Sequence, residues 1–286
     1  MTDPGAGEVY GLHLTGVCGA GLPPSSGQRR PRIVVRHAQR GQEQARVGAE
    51  WVSLDLPGGR QLLLRRGEGT ATFTGPPLSH DELVHPYLGA AASVFSRWAG
   101  REVFHAGAFV GHGRAWALVG DREAGKSSLL AALAARGWPV LADDLVVTDG
   151  YQAFCGPRTI DLRRPLPGSA EPLTRARGGS RWRLFLPPLP GAVPLGGWIY
   201  LSWGPDVAMS AVPASVTLAR LAARRTWPAL PSAPETLLAL AARPGWELAR
   251  PADWARMDEA VDLMIRTVTT GGGPHRSGWV SSSPAS

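Results

Sequence analysis

Short apolar runs separated by turn residues fill the first eighty positions. Arg32-Ile33-Val34-Val35-Arg36, Trp51-Val52-Ser53-Leu54 and Gln61-Leu62-Leu63-Leu64 have the length and composition of strands. The last two flank Pro57-Gly58-Gly59, a turn signal. The pattern predicts an antiparallel β-segment packed on the rest of the chain. The stretch Gly19 to Gly27, rich in Gly, Pro and Ser, reads as a mobile loop.

The middle of the chain changes rhythm. Arg114-Ala115-Trp116-Ala117-Leu118-Val119 is a continuous apolar run, fit for a strand buried on both faces. Lys126 to Arg136 is rich in Ala and Leu and reads as a helix, with Gly137 just past its end. Trp138 to Val147 is a second apolar strand, interrupted by Asp143 and Asp144. Strand side chains alternate, so adjacent carboxylates point to opposite faces unless the strand bends or ends at them. Trp198-Ile199-Tyr200-Leu201 predicts another core strand. Ala214 to Thr226 and Ala252 to Thr270 read as amphipathic helices, with Met257, Val261, Met264 and Ile265 on one core-facing side of the second. The Gly/Ser-rich tail from Gly271 predicts disorder over 271–286.

Composition narrows the class. A hydrophobic share of 44% with 19% charged residues excludes a chain disordered throughout, and 286 residues suffice for one large domain or two small ones. Two cysteines, Cys18 and Cys155, make no disulfide framework. The first residues lack a basic and then apolar leader pattern, and no run of 18 apolar residues exists. The expectation is a cytoplasmic protein without a membrane partner. The net charge of +7 invites nucleic acid, but 29 of the 30 basic residues are arginines scattered from Arg29 to Arg276. Without a nucleic-acid motif to accompany it, that uniform Arg usage reads as coding bias, and nucleic acid is not expected as the main partner.

The single lysine is the informative one. Lys126 stands in Gly120-Asp121-Arg122-Glu123-Ala124-Gly125-Lys126-Ser127, which fits G-x-x-x-x-G-K-[ST], the phosphate-cradling loop. A compact ammonium fits inside a tight loop where a planar guanidinium is too wide. The strand before the loop and the helix after it are the context the motif needs. The free N–H groups of that helix would face phosphates, and Ser127 would place its hydroxyl on Mg²⁺. Asp143 and Asp144 close the next strand, where one acid could serve Mg²⁺ and the other could accept the proton of an attacking hydroxyl. A solvated turn pair is the plain alternative. Glu123 puts a negative charge near bound anions unless it points outward. Arg158, Arg163, Arg164, Arg181 and Arg183 follow in a Gly/Pro-rich region that could form a lid over the transferring phosphoryl group, hold an acidic peptide, or be a solvated loop. No zinc spacing, internal repeat or G-x-S-x-G elbow occurs.

Residues 104 to 146, FHAGAFVGHGRAWALVGDREAGKSSLLAALAARGWPVLADDLV, resemble the kinase core of HPr kinase/phosphorylase and its relatives. The upstream stretch HDELVHPYLGAAASVFSRWAGREVFHAG is similar to the helix that precedes that core, and Tyr10 to Leu14 with Arg30 to Val35 is similar to the opening β-segment of the group. The resemblance implies an α/β fold related to phosphoenolpyruvate carboxykinase: a P-loop kinase domain over 81–270 behind an N-terminal β-rich segment over 1–80. It implies ATP and Mg²⁺ as cofactors, with Gly120, Asp121, Arg122, Glu123, Ala124, Gly125, Lys126, Ser127 and Ser128 at the phosphates. Asp143, Asp144 and His105 would be catalytic, and Ser127 and Asp144 would serve the metal, with Asp143 favoured as base. Without the resemblance, His105 reads as a buried structural histidine at a strand edge. The Gly-rich signature of the bifunctional enzyme is absent, and Ser128 replaces its acid after the loop serine. The chain is therefore similar to diverged relatives, some of which modify precursor peptides in natural-product pathways. The implied activity is transfer of the γ-phosphate to a Ser or Thr hydroxyl of a peptide or small protein, with a homo-oligomer allowed for. A nucleotide-binding regulatory module and a small-molecule kinase are the alternatives.

Overall fold

The structure, a computed structural model, describes residues 6–17, 22–23, 28, 30–38, 46–167 and 172–270. The expected tail over 271–286 lies outside them, as does the expected loop from Gly19 to Gly27 apart from Leu22 and Pro23.

Seven strands open the chain: β1 (Ala6–Val9), β2 (Leu12–Thr15), β3 (Arg32–Ala38), β4 (Arg46–Val47), β5 (Trp51–Leu56), β6 (Arg60–Arg65) and β7 (Thr70–Thr74). They form one sheet in the order β1-β2-β3-β7-β6-β5-β4. The expected antiparallel segment is in fact mixed, because β3 runs parallel to both β2 and β7. The turn signal at Pro57-Gly58-Gly59 locates the hairpin of β5 and β6. The connections into β3 and from β3 to β7 are long, the second containing that hairpin, and long connections are what parallel pairing requires.

A helical stretch then crosses the sheet: α1 (His80–Glu82), a wide π-type turn over Leu83–Tyr87, and α2 (Leu88–Trp98). Ser79 starts it with a capping box, accepting from the Glu82 N–H at 3.2 Å while Glu82 accepts from the Ser79 N–H at 3.1 Å. His85 breaks the helical backbone with φ −152° and ψ 115°. Pro86 enforces this, since its ring excludes the helical conformation for the residue before it. Leu88, Ala91, Ala92, Val94 and Phe95 of α2 pack with Leu62, Leu64 and Phe73 of the sheet. Val103, Ala142, Val147 and Phe154 belong to the same core, so residues before and after position 80 share one apolar interior.

The remaining chain runs β8 (Glu102–Phe104), β9 (Ala106–Gly111), β10 (Arg114–Val119), α3 (Lys126–Ala135), β11 (Val140–Ala142), β12 (Val146–Thr148), β13 (Gln152–Phe154), β14 (Thr159–Leu162), β15 (Leu173–Ala176), β16 (Arg181–Phe185), β17 (Ala192–Trp203), β18 (Ala208–Ala211), α4 (Ala214–Arg224), α5 (Pro234–Ala241), β19 (Gly245–Arg250) and α6 (Met257–Thr270). The order β11-β9-β10-β17-β13-β12-β8, with β19 and then β18 added beside β17, makes a nine-stranded sheet; β14-β16-β15 is a separate small sheet. Among the described residues the architecture is mixed α/β, with three sheets and few helices.

β10 runs parallel to β17 and is covered on both sides. Trp116 and Leu118 pack with α3 and α6, while Ala115, Ala117 and Val119 join the core under α4 and α5. That explains its unbroken apolar sequence. β17 passes close under a neighbour, where a Cβ on Gly197 would sit 2.3 Å from the Pro244 carbonyl oxygen. α3 ends in a Schellman turn at Gly137 (φ +77°), whose N–H reaches the Ala134 carbonyl while the Trp138 N–H reaches that of Leu133. The last helix starts later than expected. A 3₁₀ turn over Trp254–Arg256, capped by Asp253 through the Ala255 N–H at 2.9 Å, occupies the first part of the expected span. Val261 and Met264 are buried as the periodicity requires, with Met257 and Ile265 packed beside them. No helix among the described residues is long and apolar enough to cross a membrane.

Candidate functional site

β10 delivers Gly120 at its C-terminal end, and α3 begins six residues later at Lys126. The loop between them turns tightly: the Ala124 N–H reaches the Asp121 carbonyl at 3.1 Å, and Glu123 (φ +71°) and Gly125 (φ +78°) are left-handed. Glycine is needed at 125 for a second reason. Arg250, at the end of β19, donates through Nη2 to the Ala124 carbonyl at 2.6 Å, and a Cβ on Gly125 would lie 2.4 Å from that nitrogen. Arg250 is buried, stacked on the Trp203 ring at 4.3 Å, and burial lowers its pKa to about 10. On the outer side, Arg224 pairs with Asp121 at 3.1 Å.

The first turn of α3 has no acidic residue, and no side chain among the described residues caps its N-terminus. Free N–H groups and the positive end of the helix therefore meet the loop's interior. Lys126 is buried and folds back, donating through Nζ to the Gly120 carbonyl at 2.9 Å and the Asp121 carbonyl at 3.0 Å. Burial lowers its pKa, opposed by the charges of Asp144 and Asp143.

β11 ends at Ala142, and the two acids part there. Asp143 stays buried and accepts from Ser127 Oγ at 3.0 Å on Oδ1. Its Oδ2 is buried with no partner among the described residues. Burial, then the neighbouring Asp144 carboxylate, push its pKa up. Asp144 turns into the left-handed region (φ +67°) and carries its carboxylate the other way, to His85 Nε2 at 2.9 Å. Burial would raise Asp144, but the hydrogen bond and charge of His85, with His105 and Arg177, hold it well below the ordinary carboxylate range. Behind His85 lies Asp161 of β14, which accepts from Arg183 Nε and from Arg177 Nε, each at 2.7 Å. Asp161 is lowered as well: burial opposes this, and the Arg183 hydrogen bond outweighs it.

Of these groups, Lys126, Ser127, Asp144, Asp161 and Arg177 border a cavity of about 730 Å³. Arg122, Lys126, Arg163, Arg164, Arg177 and Arg181 line it against three carboxylates, Glu123, Asp144 and Asp161. Such a surplus suits a polyanion. Glu123 is exposed and pairs with Arg163 at 2.6 Å at the edge of the cavity that both line. Gly125, Ser127, Ser128 and His105 also face this space, while Gly120, Asp121 and Ala124 form the back of the loop. His105 sits between β8 and β9 and is exposed, not buried at a strand edge as its sequence context alone suggests. Enough protein still surrounds it that burial, and then the Lys126 charge, pull its pKa down. A second cleft, about 390 Å³, adjoins the first at His105 and Asp144, which line both spaces.

The expected arginine lid divides. Arg163, Arg164 and Arg181 reach the cavity. Arg158 does not: it is buried and donates to the Pro187 and Leu141 carbonyls. Arg183 is spent on Asp161 and Asp81. Four residues that sequence reasoning passed over matter here: His85, Asp161, Arg177 and Arg250. A lone His before a proline, or one arginine among 29, offers no local signal; the signal is their convergence in space.

His85, Asp143 and Asp144 each bring one ligand atom within 4.8 Å of the others. The unpartnered Oδ2 of Asp143 beside the Ser127 hydroxyl is the donor chemistry a hard divalent cation takes. His85 is less suited, since its Nε2 is already committed to Asp144.

No family model matches the chain, and no curated protein matches it. Among solved structures, that of the Hpr(Ser) kinase/phosphatase from Coxiella burnetii aligns with a TM-score of 0.33 at 12% identity, over 59% of this chain and 99% of that one. At so low a likeness the chemistry has to come from the site itself.

Proposed function

We propose that the protein is an ATP-dependent phosphotransferase, a P-loop kinase in which the loop Gly120–Ser127 binds the nucleotide's phosphates. The observation that carries this is the Ser127–Asp143 hydrogen bond at 3.0 Å: it joins the serine of the G-x-x-x-x-G-K-S motif to an acid closing the strand after α3. Loop, lysine and the Ser127 hydroxyl then converge on a cavity with a cationic surplus, with Asp143 behind the serine.

In this reading Lys126 leaves the Gly120 and Asp121 carbonyls to bind phosphate oxygens, and the helix N-terminus faces the same charge. Ser127 and Asp143 would hold Mg²⁺, which supplies charge neutralisation at the phosphates. That reverses the sequence expectation for the two acids. Asp143 is buried behind Ser127 and reaches neither cavity, whereas Asp144 faces both. Geometry comes before pKa in choosing a base, so Asp144 accepts the proton of the acceptor hydroxyl and Asp143 serves the metal. His85 holds the Asp144 carboxylate in place. The acceptor oxygen bonds to the γ-phosphorus, the bond to the β–γ bridging oxygen breaks, ADP leaves with that electron pair, and the proton passes to Asp144. Arg163, Arg177 and Arg181 are placed to offset charge on the transferring oxygens.

The acceptor in this proposal is a Ser or Thr hydroxyl of a peptide or small protein, a natural-product precursor peptide being the favoured class. The Glu123–Arg163 pair at the edge of the cavity favours one second reading, a nucleotide-binding module with weak transfer, because it consumes a cation that phosphates would use. Incubation with Mg²⁺ and γ-labelled ATP, with nucleotide binding followed by calorimetry, tests the assignment. Binding that is lost in Lys126→Ala supports it. Absence of Mg²⁺-dependent ATP or GTP binding in the intact protein would sink it.

A further inference from the structure

We propose that the second cleft is the acceptor site, and that it takes a hydroxyl carried on a neutral, largely apolar group; this rests on the phosphotransfer reading above. The two spaces meet at His105 and Asp144. An acceptor in the second would therefore present its hydroxyl to Asp144 from a space adjoining that of the phosphate loop, as direct transfer between two bound substrates requires.

The two spaces differ in charge. The first is lined by Lys126 and five arginines; among the described residues no lysine or arginine lines the second. Its walls are Pro86, Gly89, Ala90, Leu145 and Trp227. Tyr10, itself buried, and Thr226 complete the lining. The Thr226 hydroxyl donates to the Val103 carbonyl at 3.2 Å, the Ser93 hydroxyl donates to the Ala90 carbonyl at 2.8 Å and accepts from Trp227 Nε1 at 2.7 Å, and His85 Nε2 is held by Asp144. An acidic acceptor would meet the Asp144 carboxylate with no cation of this cleft to offset it. An acidic peptide, the partner that the arginine-rich loop suggests, is thus the wrong occupant. About 390 Å³ is near the lower end of the roughly 300–1,000 Å³ of small-ligand sites, room for a side chain and its neighbours rather than a protein surface.

A second observation points to the same place. Trp227 has φ +53°, a conformation bulky residues rarely adopt. It is held there by its indole bond to Ser93 and by the Leu230 N–H on its carbonyl at 2.9 Å. Backbone held in such a region clusters at ligand sites, and here the residue so held is one that lines the cleft.

The neutral hydroxyl could belong to a seryl residue or to a free small alcohol, and the test separates these. With the full-length protein, Mg²⁺ and γ-labelled ATP, three acceptors are compared: acetyl-Leu-Ser-Leu-amide, acetyl-Asp-Ser-Glu-amide and 2-phenylethanol. Ala90→Phe plugs the cleft from α2 without touching the loop, with Ala90→Leu as the smaller plug should the first fail to fold. Label on the neutral peptide or the alcohol, over the acidic peptide, is expected, and identifies the source. The plug should cut that kcat/KM by about 10–100-fold, the scale of a steric change in an apolar pocket, while ATP binding by calorimetry stays as in wild type. Preference for the acidic peptide, label on none of the three, or unchanged transfer in a folded plug variant overturns the proposal. Should ATP not bind at all, the kinase reading fails separately. Calorimetry of the neutral acceptors without nucleotide then decides the cleft: binding of either that the plug abolishes upholds the site, and binding of neither overturns it.

Discussion

Arg250 closes the last strand of the large sheet and donates to the carbonyl of Ala124, 126 residues earlier. One buried guanidinium thus holds the loop from behind, while Lys126 closes it from within. The loop's shape is set by a residue outside its own motif.

Arg250→Met should keep the bulk and lose the donor, leaving the Ala124 carbonyl buried without a partner. The expected cost is about 1–3 kcal/mol of stability, read as a lower Tm in thermal denaturation, together with weaker nucleotide binding. An unchanged Tm and affinity would show that Arg250 does not support the loop.

Gly125→Ala should also destabilise. The left-handed backbone costs a residue with a Cβ about 1–2 kcal/mol, and the contact with Arg250 adds to it. Because the two sites touch, the effects should not add: in the Arg250→Met background the Gly125→Ala penalty should shrink. A double-mutant cycle by chemical denaturation reads this directly, and strict additivity would count against the contact.

Lys126→Ala should fold normally and lose phosphate-dependent binding. Lys126→Arg should also fail, since a planar guanidinium is too wide for the space inside the loop where the ammonium donates to the Gly120 and Asp121 carbonyls. A loss of about 10²–10³-fold in turnover is expected, the scale for removing one charged or hydrogen-bonding contact to the transition state. Near wild-type turnover in Lys126→Arg would overturn this account.

Asp143 and Asp144 should fail differently when each is changed to Asn. Asp144→Asn should lower turnover by about 10²–10⁴-fold with nucleotide affinity kept, as for a lost general base. Asp143→Asn should raise the Mg²⁺ concentration needed, and Ser127→Ala should do the same, because the two share a hydrogen bond. Titrations of Mg²⁺ and ATP with turnover in parallel separate these, and the opposite pattern would restore the order expected from sequence.

Much of the fold was legible in local pattern. The unbroken apolar run of β10 marks a strand covered on both faces, and the Ala/Leu run from Lys126 ending at Gly137 marks a helix with its stop. Both signals are local, since strand burial and helix capping are written within a few residues. The parallel pairings of β3 were not legible, because pairing across long connections leaves no mark in either strand. The start of α6 at Met257 was missed because the 3₁₀ turn before it has helix-like composition.

The candidate site divides in the same way. The sequence by itself determined the loop from Gly120 to Ser127, its one lysine, and the pair Asp143 and Asp144, because spacing along a strand–loop–helix unit is a one-dimensional property. Only the tertiary structure decided which acid meets Ser127 and which meets His85, since a single left-handed residue at Asp144 sends neighbouring carboxylates to different partners. It likewise decided that Arg163 and Arg181 reach the cavity while Arg158 and Arg183 are buried in support. Arginines close together in sequence are alike until the packing around each one determines whether its charge is matched by a buried partner or left facing open space.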